Sequence, residues 1–283
     1  MVTDAGTWRV LLRSPSAMVG AAFIAGLVLA AVFADAIAPY GPLAQARGAD
    51  AGGHPRTPSA DHWLGTDALG RDVLSRVLHG GRRSLPIGMI SVGIGFLVGV
   101  PVGSLAGMRG GWVDASLMRV VDVTMAVPSI LLAIAIVGAL GPSLTHVMVA
   151  VGVVQAPIFA RQIRASVLSI RSLDYVTASR ALGASGARIL LRDVWPNCVG
   201  PMLVLATLGM GGAILDVAGM SFLGLGGQPD EPEWGTMLNA AREFVHDRPW
   251  VIIAPGAAIT LTVLGFNLLG DALRDVLDPK TVR

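Results

Sequence analysis

Six stretches of the chain are rich in hydrophobic residues and come close to the length of a membrane-spanning helix. They cover residues 17–38, 84–106, 117–140, 144–159, 199–223 and 251–269. A helix needs about 20 mainly apolar residues to cross a hydrocarbon core about 30 Å thick. The pattern therefore predicts an all-α polytopic membrane protein with six transmembrane helices, which places both termini on the same side.

The composition fits a membrane protein better than a soluble domain. Apolar residues make up 53% of the 283 residues and charged residues only 14%, which is too little charge to cover a soluble surface. The formal net charge of +2 gives no reason to expect a nucleic-acid partner. The single cysteine, Cys198, excludes an intramolecular disulfide and argues against a cysteine-based metal site.

Basic residues are distributed unevenly between the two sides of the predicted bundle. The side that holds both termini carries 13 of the 21 basic residues. Short cytoplasmic loops of membrane proteins are enriched in arginine and lysine. We therefore expect a multi-pass protein of the cell membrane with both termini in the cytoplasm, although Arg82 and Arg83 then stand on the external side.

Two long polar segments connect spans on the predicted external side, at residues 39–83 and 224–250. In the first, apolar residues recur at helical spacing within TDALGRDVLSRVLHGG, and Thr66 or Asp67 is available as the N-cap. We therefore predict an amphipathic helix that lies at the membrane surface. The second segment is acidic and rich in turn residues, which suits contact with a partner or the shaping of an entrance.

These boundaries divide the chain into two regions. Residues 1–83 form an N-terminal region with the first span and the external loop, and residues 84–283 form a core of five helices. The core contains a long cytoplasmic segment at residues 161–197.

The most polar run within this segment is DYVTASRALGASGARILLRDVWPN. Ser172 or Asp174 can cap a short helix, and Gly183 can end it in the left-handed conformation that follows many helices. Ser185 can cap a second helix, and Pro196 is expected to close the insert before the next span. The run therefore predicts a helix, a glycine turn and a second helix between two spans.

Two interpretations of this run remain open. Thr177, Ala178 and Ser179 form a small-residue face that lets the groove of a partner approach closely. Alternatively, the run is an ordinary solvated loop, and the six arginines between positions 161 and 192 bind anionic lipid at the membrane surface.

Motifs for catalysis are missing from the sequence. No G-x-x-x-x-G-K-[ST] occurs, so the chain has no P-loop for ATP phosphates. Neither H-E-x-x-H nor G-x-S-x-G occurs. We therefore predict no catalytic residue, metal ligand or bound cofactor in this chain, and we expect any ATP and magnesium to be bound by partner subunits.

Acidic residues within the spans are the best candidates for a translocation pathway, because lipid penalises a charge at mid-depth by about 2.5 kcal/mol or more. Asp216 lies deep in the fifth span without a nearby cation, so we predict a pathway lining, with an interhelical hydrogen bond as the alternative. Asp122 lies near the inner end of the third span, where a structural pair with Arg119 is favoured over a substrate contact. Met220 is the third candidate for the lining.

Glycines and prolines predict local features of the spans. Gly95, Gly99 and Gly103 follow one another at four-residue spacing, which predicts close packing against another helix of the same chain rather than a subunit interface. Pro101 and Pro128 are expected to kink their helices.

The polar run resembles the cytoplasmic loop of ABC importer permeases, whose pattern is E-A-A-x-x-x-G and, after nine residues, I-x-L-P. Thr177 to Ser179, Gly183 and Pro196 occupy the matching places with both spacings kept. The sequence departs from the pattern at four positions, with Thr177 for glutamate, Ser179 for alanine, Asp193 for isoleucine and Trp195 for leucine.

Longer segments resemble one branch of these permeases, the C-type permease subunit of dipeptide and oligopeptide importers. They are, in order, WRVLLRSPSAMVGAAFIAGLVLAAVFADAIAPYGP, HWLGTDALGRDVLSRVLHGGRRSL, SFLGLGGQPDEPEWGTML and FNLLGDALRDVLDPK. The resemblance implies a type I ABC importer permease fold with a cytoplasmic coupling helix. It also implies half of a peptide translocation pathway, with nickel, haem or glutathione as alternative cargoes.

The resemblance further implies partners and coupling residues. The partners are a second, B-type permease, two cytoplasmic ATPases, an extracytoplasmic substrate-binding protein and the surrounding lipid. The residues implied to contact an ATPase are Asp174, Tyr175, Thr177, Ala178, Ser179, Arg180, Ala181, Leu182, Gly183, Ala184 and Ser185.

Overall fold

A computed structural model describes residues 14–45, 53–228 and 230–277, which are almost entirely helices and their connections. Within these ranges the β-pairing consists of two isolated bridges. In chain order, the helices are α1 (Pro15–Val32), α2 (Ala34–Ile37), α3 (Val73–Arg109), α4 (Gly111–Ala126), α5 (Ser129–Leu140), α6 (Leu144–Arg171), α7 (Asp174–Ala181), α8 (Gly186–Phe222), α9 (Trp234–Ala241) and α10 (Trp250–Leu277).

Five helices, α1, α3, α6, α8 and α10, are long and apolar enough to cross a membrane, and the pair α4 and α5 makes a sixth span if it is counted as one. The span predicted at residues 117–140 is present as a bent pair rather than as one kinked helix, because α4 and α5 meet at an angle of 92°. The cause is Pro128, whose ring keeps the preceding Val127 in extended backbone, with φ −86° and ψ 131°. The kink predicted at this proline is therefore a break.

Helix α3 begins 11 residues before the predicted second span. The prediction of a separate surface helix in this region was wrong, because Val73 to Leu78 form the first turns of α3. Neither Thr66 nor Asp67 is the N-cap. Asp72 fills that position, and its Oδ2 accepts hydrogen bonds from the backbone N–H and the hydroxyl of Ser75, at 2.8 and 2.7 Å.

Arg82 and Arg83 lie inside α3 because each finds partners on other segments. Arg82 donates to the carbonyl oxygens of Ala31 and Val32 and pairs with Asp35 at 2.8 Å. Arg83 pairs with Glu231 at 2.6 Å. The residue 83/84 boundary drawn from the sequence thus falls within a continuous helix that joins α1, the long loop and the rest of the bundle.

Helices α3 and α6 run parallel, and their backbones approach each other closely because glycines occupy the contact positions of α3. Gly95 faces Gly152, Gly99 faces Ala156, and Gly107 faces Val167. At Gly103 an added Cβ would overlap Ile163 and the carbonyl oxygen of Ala160. The predicted packing of this glycine row within the chain is confirmed, and we call it the glycine seam (Gly95, Gly99, Gly103 and Gly107 against α6).

The parallel direction of α3 and α6 defines two ends of the bundle. At one end, Arg171 at the end of α6 donates to the carbonyl oxygens of Gly107 and Met108 near the end of α3. We call this the α7 end, because α7 follows directly. At the other end lie the start of α3, the end of α8 and helix α9, and we call this the α9 end.

A buried carboxylate holds α9 against α3 at the α9 end. Glu233 is 1% exposed and caps α9 by accepting hydrogen bonds from the backbone N–H groups of Gly235 and Thr236, both at 2.8 Å. Burial raises the pKa of Glu233. The neighbouring Trp234 is also buried, and its indole N–H donates to the carbonyl oxygen of Val77 at 2.9 Å.

Replacing Glu233 with alanine is expected to lower the free energy of unfolding by about 1–3 kcal/mol, since two buried N–H groups lose their acceptor. The melting temperature of the detergent-solubilised protein should fall by several degrees. Glu243→Ala is the matched control, because Glu243 is exposed and makes no ion pair or side-chain hydrogen bond among the described residues. Equal melting temperatures for the two variants would contradict the capping role.

Candidate functional site

Helix α7 lies between two spans and starts without a side-chain cap. Its N-cap is Leu173, whose side chain makes no capping hydrogen bond. The prediction that Ser172 or Asp174 caps this helix was therefore wrong. Asp174 instead occupies the first helical turn, where its negative charge interacts favourably with the helix dipole.

Gly183 ends α7 in the way that the sequence predicts. Its φ is +83°, a left-handed value that glycine adopts at little cost. The N–H of Gly183 donates to the carbonyl oxygen of Arg180 at 3.0 Å, and the N–H of Ala184 donates to that of Ser179 at 3.1 Å. This pair of hydrogen bonds is the Schellman motif, which fixes the direction in which the chain leaves α7.

One side of α7 is anchored to the spans. Val176 is fully buried in the same hydrophobic cluster as Val167 of α6 and Val194 of α8. The Tyr175 hydroxyl donates to the carbonyl oxygen of Asp193 at 3.2 Å and accepts from the Asn197 side chain at 3.1 Å. Burial, and secondarily the charge of Asp193, raises the pKa of Tyr175, so this phenol stays a neutral donor.

The other side of α7 is open to solvent. Thr177, Ala178, Arg180 and Ala181 are exposed, whereas Ser179 and Ala184 are half-buried. Leu182 is 89% exposed, although a leucine side chain gains about 1.5–3 kcal/mol when it is fully buried. The exposed residues form a small, mostly uncharged face with an apolar tip, and we call them the α7 face (Thr177, Ala178, Arg180, Ala181 and Leu182).

The segment after α7 is continuous with the fifth span. Ser185 caps it, as predicted, by accepting from the backbone N–H of Arg188. The prediction that Pro196 closes the insert was wrong, because α8 runs from Gly186 through Pro196 to Phe222. A π-helical turn at Ile189–Val194 precedes this proline, and such turns alter the hydrogen-bond pattern that the proline ring would otherwise disrupt.

Two further residues join this region to α3 and were not predicted from the sequence. The indole N–H of Trp195 donates to the hydroxyl of Ser104 at 3.0 Å, and Arg171 holds the end of α3. Both partners are more than 60 positions away in sequence, so local patterns gave no signal. The segments on both sides of α7 are therefore tied to α3.

The three predicted pathway residues lie in different surroundings. Asp122 pairs with Arg161 of α6 at 2.7 Å. The prediction of Arg119 as its partner was therefore wrong, since the fold places a cation of α6 beside this carboxylate. Met220 is fully buried in the core cluster. Asp216 is half-buried on α8 and makes no hydrogen bond or ion pair among the residues that the structure describes. The three side chains do not form one site.

Solved transporter structures share this arrangement of helices. A chain of the methionine ABC transporter MetNI in an inward-facing conformation superposes with a TM-score of 0.59 over 71% of this chain and 95% of that chain, at 22% identity. An amino acid ABC transporter gives a TM-score of 0.55 over 69% of this chain and 91% of that chain, at 17% identity. The fold is therefore that of a type I ABC importer permease, an integral membrane protein.

Sequence families define the group more closely. The chain belongs to the family of binding-protein-dependent transport system inner membrane components, whose profile matches residues 99–283. Residues 5–56 match the N-terminal transmembrane domain of oligopeptide transport permease C. These matches confirm the resemblance to C-type permease subunits.

Named relatives cover nearly the whole chain. The dipeptide transport system permease protein DppC of Alkalihalophilus pseudofirmus is 42% identical over 98% of this chain and 91% of its own length. The di/tripeptide permease DppC of Pseudomonas aeruginosa is 45% identical over 96% and 91%. The glutathione transport system permease protein GsiD of Pectobacterium atrosepticum is 44% identical over 96% and 90%.

Proposed function

We propose that this chain is the transmembrane permease subunit of an ATP-driven importer of dipeptides and oligopeptides, and that it forms half of the translocation pathway. The α7 face supports this function most directly, because it is a rigidly anchored, solvent-exposed surface that suits the groove of a partner protein. The sequence has no P-loop, so the nucleotide chemistry belongs to that partner. The relatives named as dipeptide permeases are 42% and 45% identical.

The proposed complex contains this chain, a second B-type permease, two cytoplasmic ATPases that bind ATP and magnesium, and a substrate-binding protein outside the membrane. Both termini and the α7 end then face the cytoplasm. The α9 end faces outward, where the Arg83 to Glu231 pair and helix α9 lie. In this orientation an ATPase meets α7 and the binding protein meets the loops around α9.

The proposed coupling mechanism follows from the anchoring of α7. Closure of the ATPases around ATP displaces the α7 face. The buried Val176 and the hydrogen bond from Tyr175 to Asp193 transfer this displacement to α6 and α8. The Schellman motif fixes the C-terminal turn of α7, so this turn moves together with the rest of the helix. Such a lever biases a bundle with two conformations and requires contacts that differ between them. The outward and inward faces of the bundle open alternately, and the substrate enters through the first and leaves through the second.

Glutathione is a second candidate cargo that a specific observation favours, because a glutathione permease is 44% identical to this chain. The same architecture serves either cargo, since both are small peptides delivered by a binding protein. Nickel and haem, which the resemblance also allows, are not named as the cargo of any of these three relatives. The peptide cargoes are therefore the better supported ones.

Reconstitution of the chain with its partner subunits in proteoliposomes tests the proposal. The complete complex with a loaded binding protein is expected to hydrolyse ATP faster when a dipeptide is present and to accumulate that dipeptide. The chain alone is expected to do neither. Stimulation by glutathione but not by dipeptides would establish glutathione as the cargo, and ATP hydrolysis by the chain alone would contradict the proposal.

A further inference from the structure

One face of α8 near the α9 end is left uncovered by the other described helices of this chain. Among the described residues, no neighbouring heavy atom lies within 4 Å of a Cβ built at Gly212 or at Gly219. Leu215 is 55% exposed, whereas Ile214 and Val217 on the opposite side of the helix are buried. Helical spacing places Gly212, Asp216 and Gly219 on the same side. We call these three residues, with Leu215, the open face of α8.

Asp216 is the charged group of the open face. It lies six residues before Phe222, the last residue of α8, which corresponds to about 9 Å along the helix axis. Two other carboxylates of the apolar helices have cationic partners, since Asp114 pairs with Arg164 and Asp122 with Arg161. Within the part of the chain that the structure describes, Asp216 makes no hydrogen bond or ion pair.

Lipid is an unsuitable neighbour for this carboxylate. A charged aspartate facing hydrocarbon costs about 2.5–3.5 kcal/mol even by the lowest estimates, and such residues therefore face a bundle interior or a water-filled cavity. Glycines on both sides of Asp216 leave its carboxylate sterically accessible, because neither contributes a side chain. The charge argument thus disfavours acyl chains next to the open face of α8 and leaves a water-filled space or the second permease as its neighbour.

We propose that Asp216 binds the protonated amino group of the cargo as it passes between this chain and the second permease. This inference rests on the proposed function, because it assumes that the open face of α8 lines the pathway. Dipeptides, longer peptides and glutathione all carry an α-amino group that is largely protonated at neutral pH. An unpaired carboxylate in a region of low dielectric attracts such a cation strongly.

Charge-selective labelling tests the proposal without depending on the binding protein. Gly219→Cys is introduced into a chain in which Cys198→Ala has removed the native thiol, and the assembled importer is placed in nanodiscs. A trimethylammonium-bearing methanethiosulfonate is expected to react about tenfold faster than a sulfonate-bearing one, after normalisation to a neutral reagent. Adding Asp216→Asn should abolish this preference, and Asp216→Glu should retain it.

Transport supplies the second measurement. Dialanine uptake by the complete importer should fall about tenfold in Asp216→Asn, which corresponds to about 1.4 kcal/mol, and should be largely retained in Asp216→Glu. Asp271→Asn, an exposed carboxylate at the far end of α10, is the matched control and should leave uptake unchanged. Cation preference lost together with uptake would support the proposal.

Two results would overturn it. Equal labelling preference with and without the Asp216 carboxylate would show that the carboxylate does not set the local potential. Failure of every hydrophilic reagent to label Gly219→Cys, with or without nucleotide, would show that lipid or the second permease covers this face. Failure of the unmodified importer to carry any peptide would instead refute the proposed function, while the labelling result would still report on Asp216.

Discussion

Ala178→Trp is expected to lower uptake at least about tenfold while ATP hydrolysis by the complex continues. Ala178 lies on the exposed side of α7, opposite the buried Val176. The larger side chain therefore leaves the contacts within the chain intact but prevents close approach of a partner's groove. The expected factor of ten corresponds to a loss of about 1.4 kcal/mol of binding free energy. Parallel measurement of uptake and ATPase activity in proteoliposomes checks this result.

Gly183→Val reaches the same outcome by a different physical route. Valine at a φ of +83° is strained, and left-handed backbone costs about 1–2 kcal/mol for residues with a Cβ. The last turn of α7 should therefore reorganise, which loosens its link to α8. Gly186→Val is the matched control, since Gly186 is exposed, has an ordinary φ and has no described neighbour within 4 Å of an added Cβ. Full uptake in both Ala178→Trp and Gly183→Val would contradict the coupling role of α7.

Gly103→Leu is expected to prevent accumulation of the folded chain in the membrane. A Cβ at this position already overlaps the backbone of Ala160 and the side chain of Ile163. Backbone atoms cannot move aside without separating α3 from α6, so we expect a cost greater than about 3 kcal/mol. The amount of chain in membranes, and the fraction that elutes as a single species after detergent extraction, measure this effect.

Gly93→Leu controls for the change in helix composition. Gly93 lies on the same helix, and no heavy atom of the described residues is found within 4 Å of an added Cβ. This variant should accumulate like the unmodified chain. Comparable yields of Gly93→Leu and Gly103→Leu would show that the glycine seam is not required for packing.

Three features that depend on local chemistry or spacing were predicted correctly from the sequence, although the N-caps of α3 and α7 were not. Gly183 ends α7 because glycine tolerates the left-handed conformation, and Ser185 caps α8 because its hydroxyl reaches a free backbone N–H. The glycine seam was predicted because a four-residue spacing places small residues on one side of a helix. In each case the determining contacts lie within a few residues, or the pattern itself specifies the geometry.

Features that depend on distant partners were predicted poorly. The early start of α3 could not be foreseen, because Arg82 is accommodated by carbonyl oxygens of Ala31 and Val32 about 50 positions earlier. Arg119 was chosen for Asp122 from sequence proximity, whereas the fold presents Arg161. The break at Val127 was underestimated, since a proline in the sequence indicates a bend but does not specify its size. The positions named in the candidate coupling site came from family resemblance, and their contact with an ATPase stays a prediction.

The glycine seam joins the two ends of the bundle, so a change at the α9 end is also expected to affect the α7 end. Arg171 fastens the two helices of the seam at the end where α7 begins, and Gly103 and Gly107 keep them in register over the preceding turns. Linkage between two binding sites is reciprocal, so an effector that alters affinity at one site is itself altered by the same factor. Suppose that nucleotide binding by the ATPases, acting through α7, changes the affinity of the loops at the α9 end for a loaded binding protein. Docking of that protein must then change the affinity of the ATPases for nucleotide by the same factor.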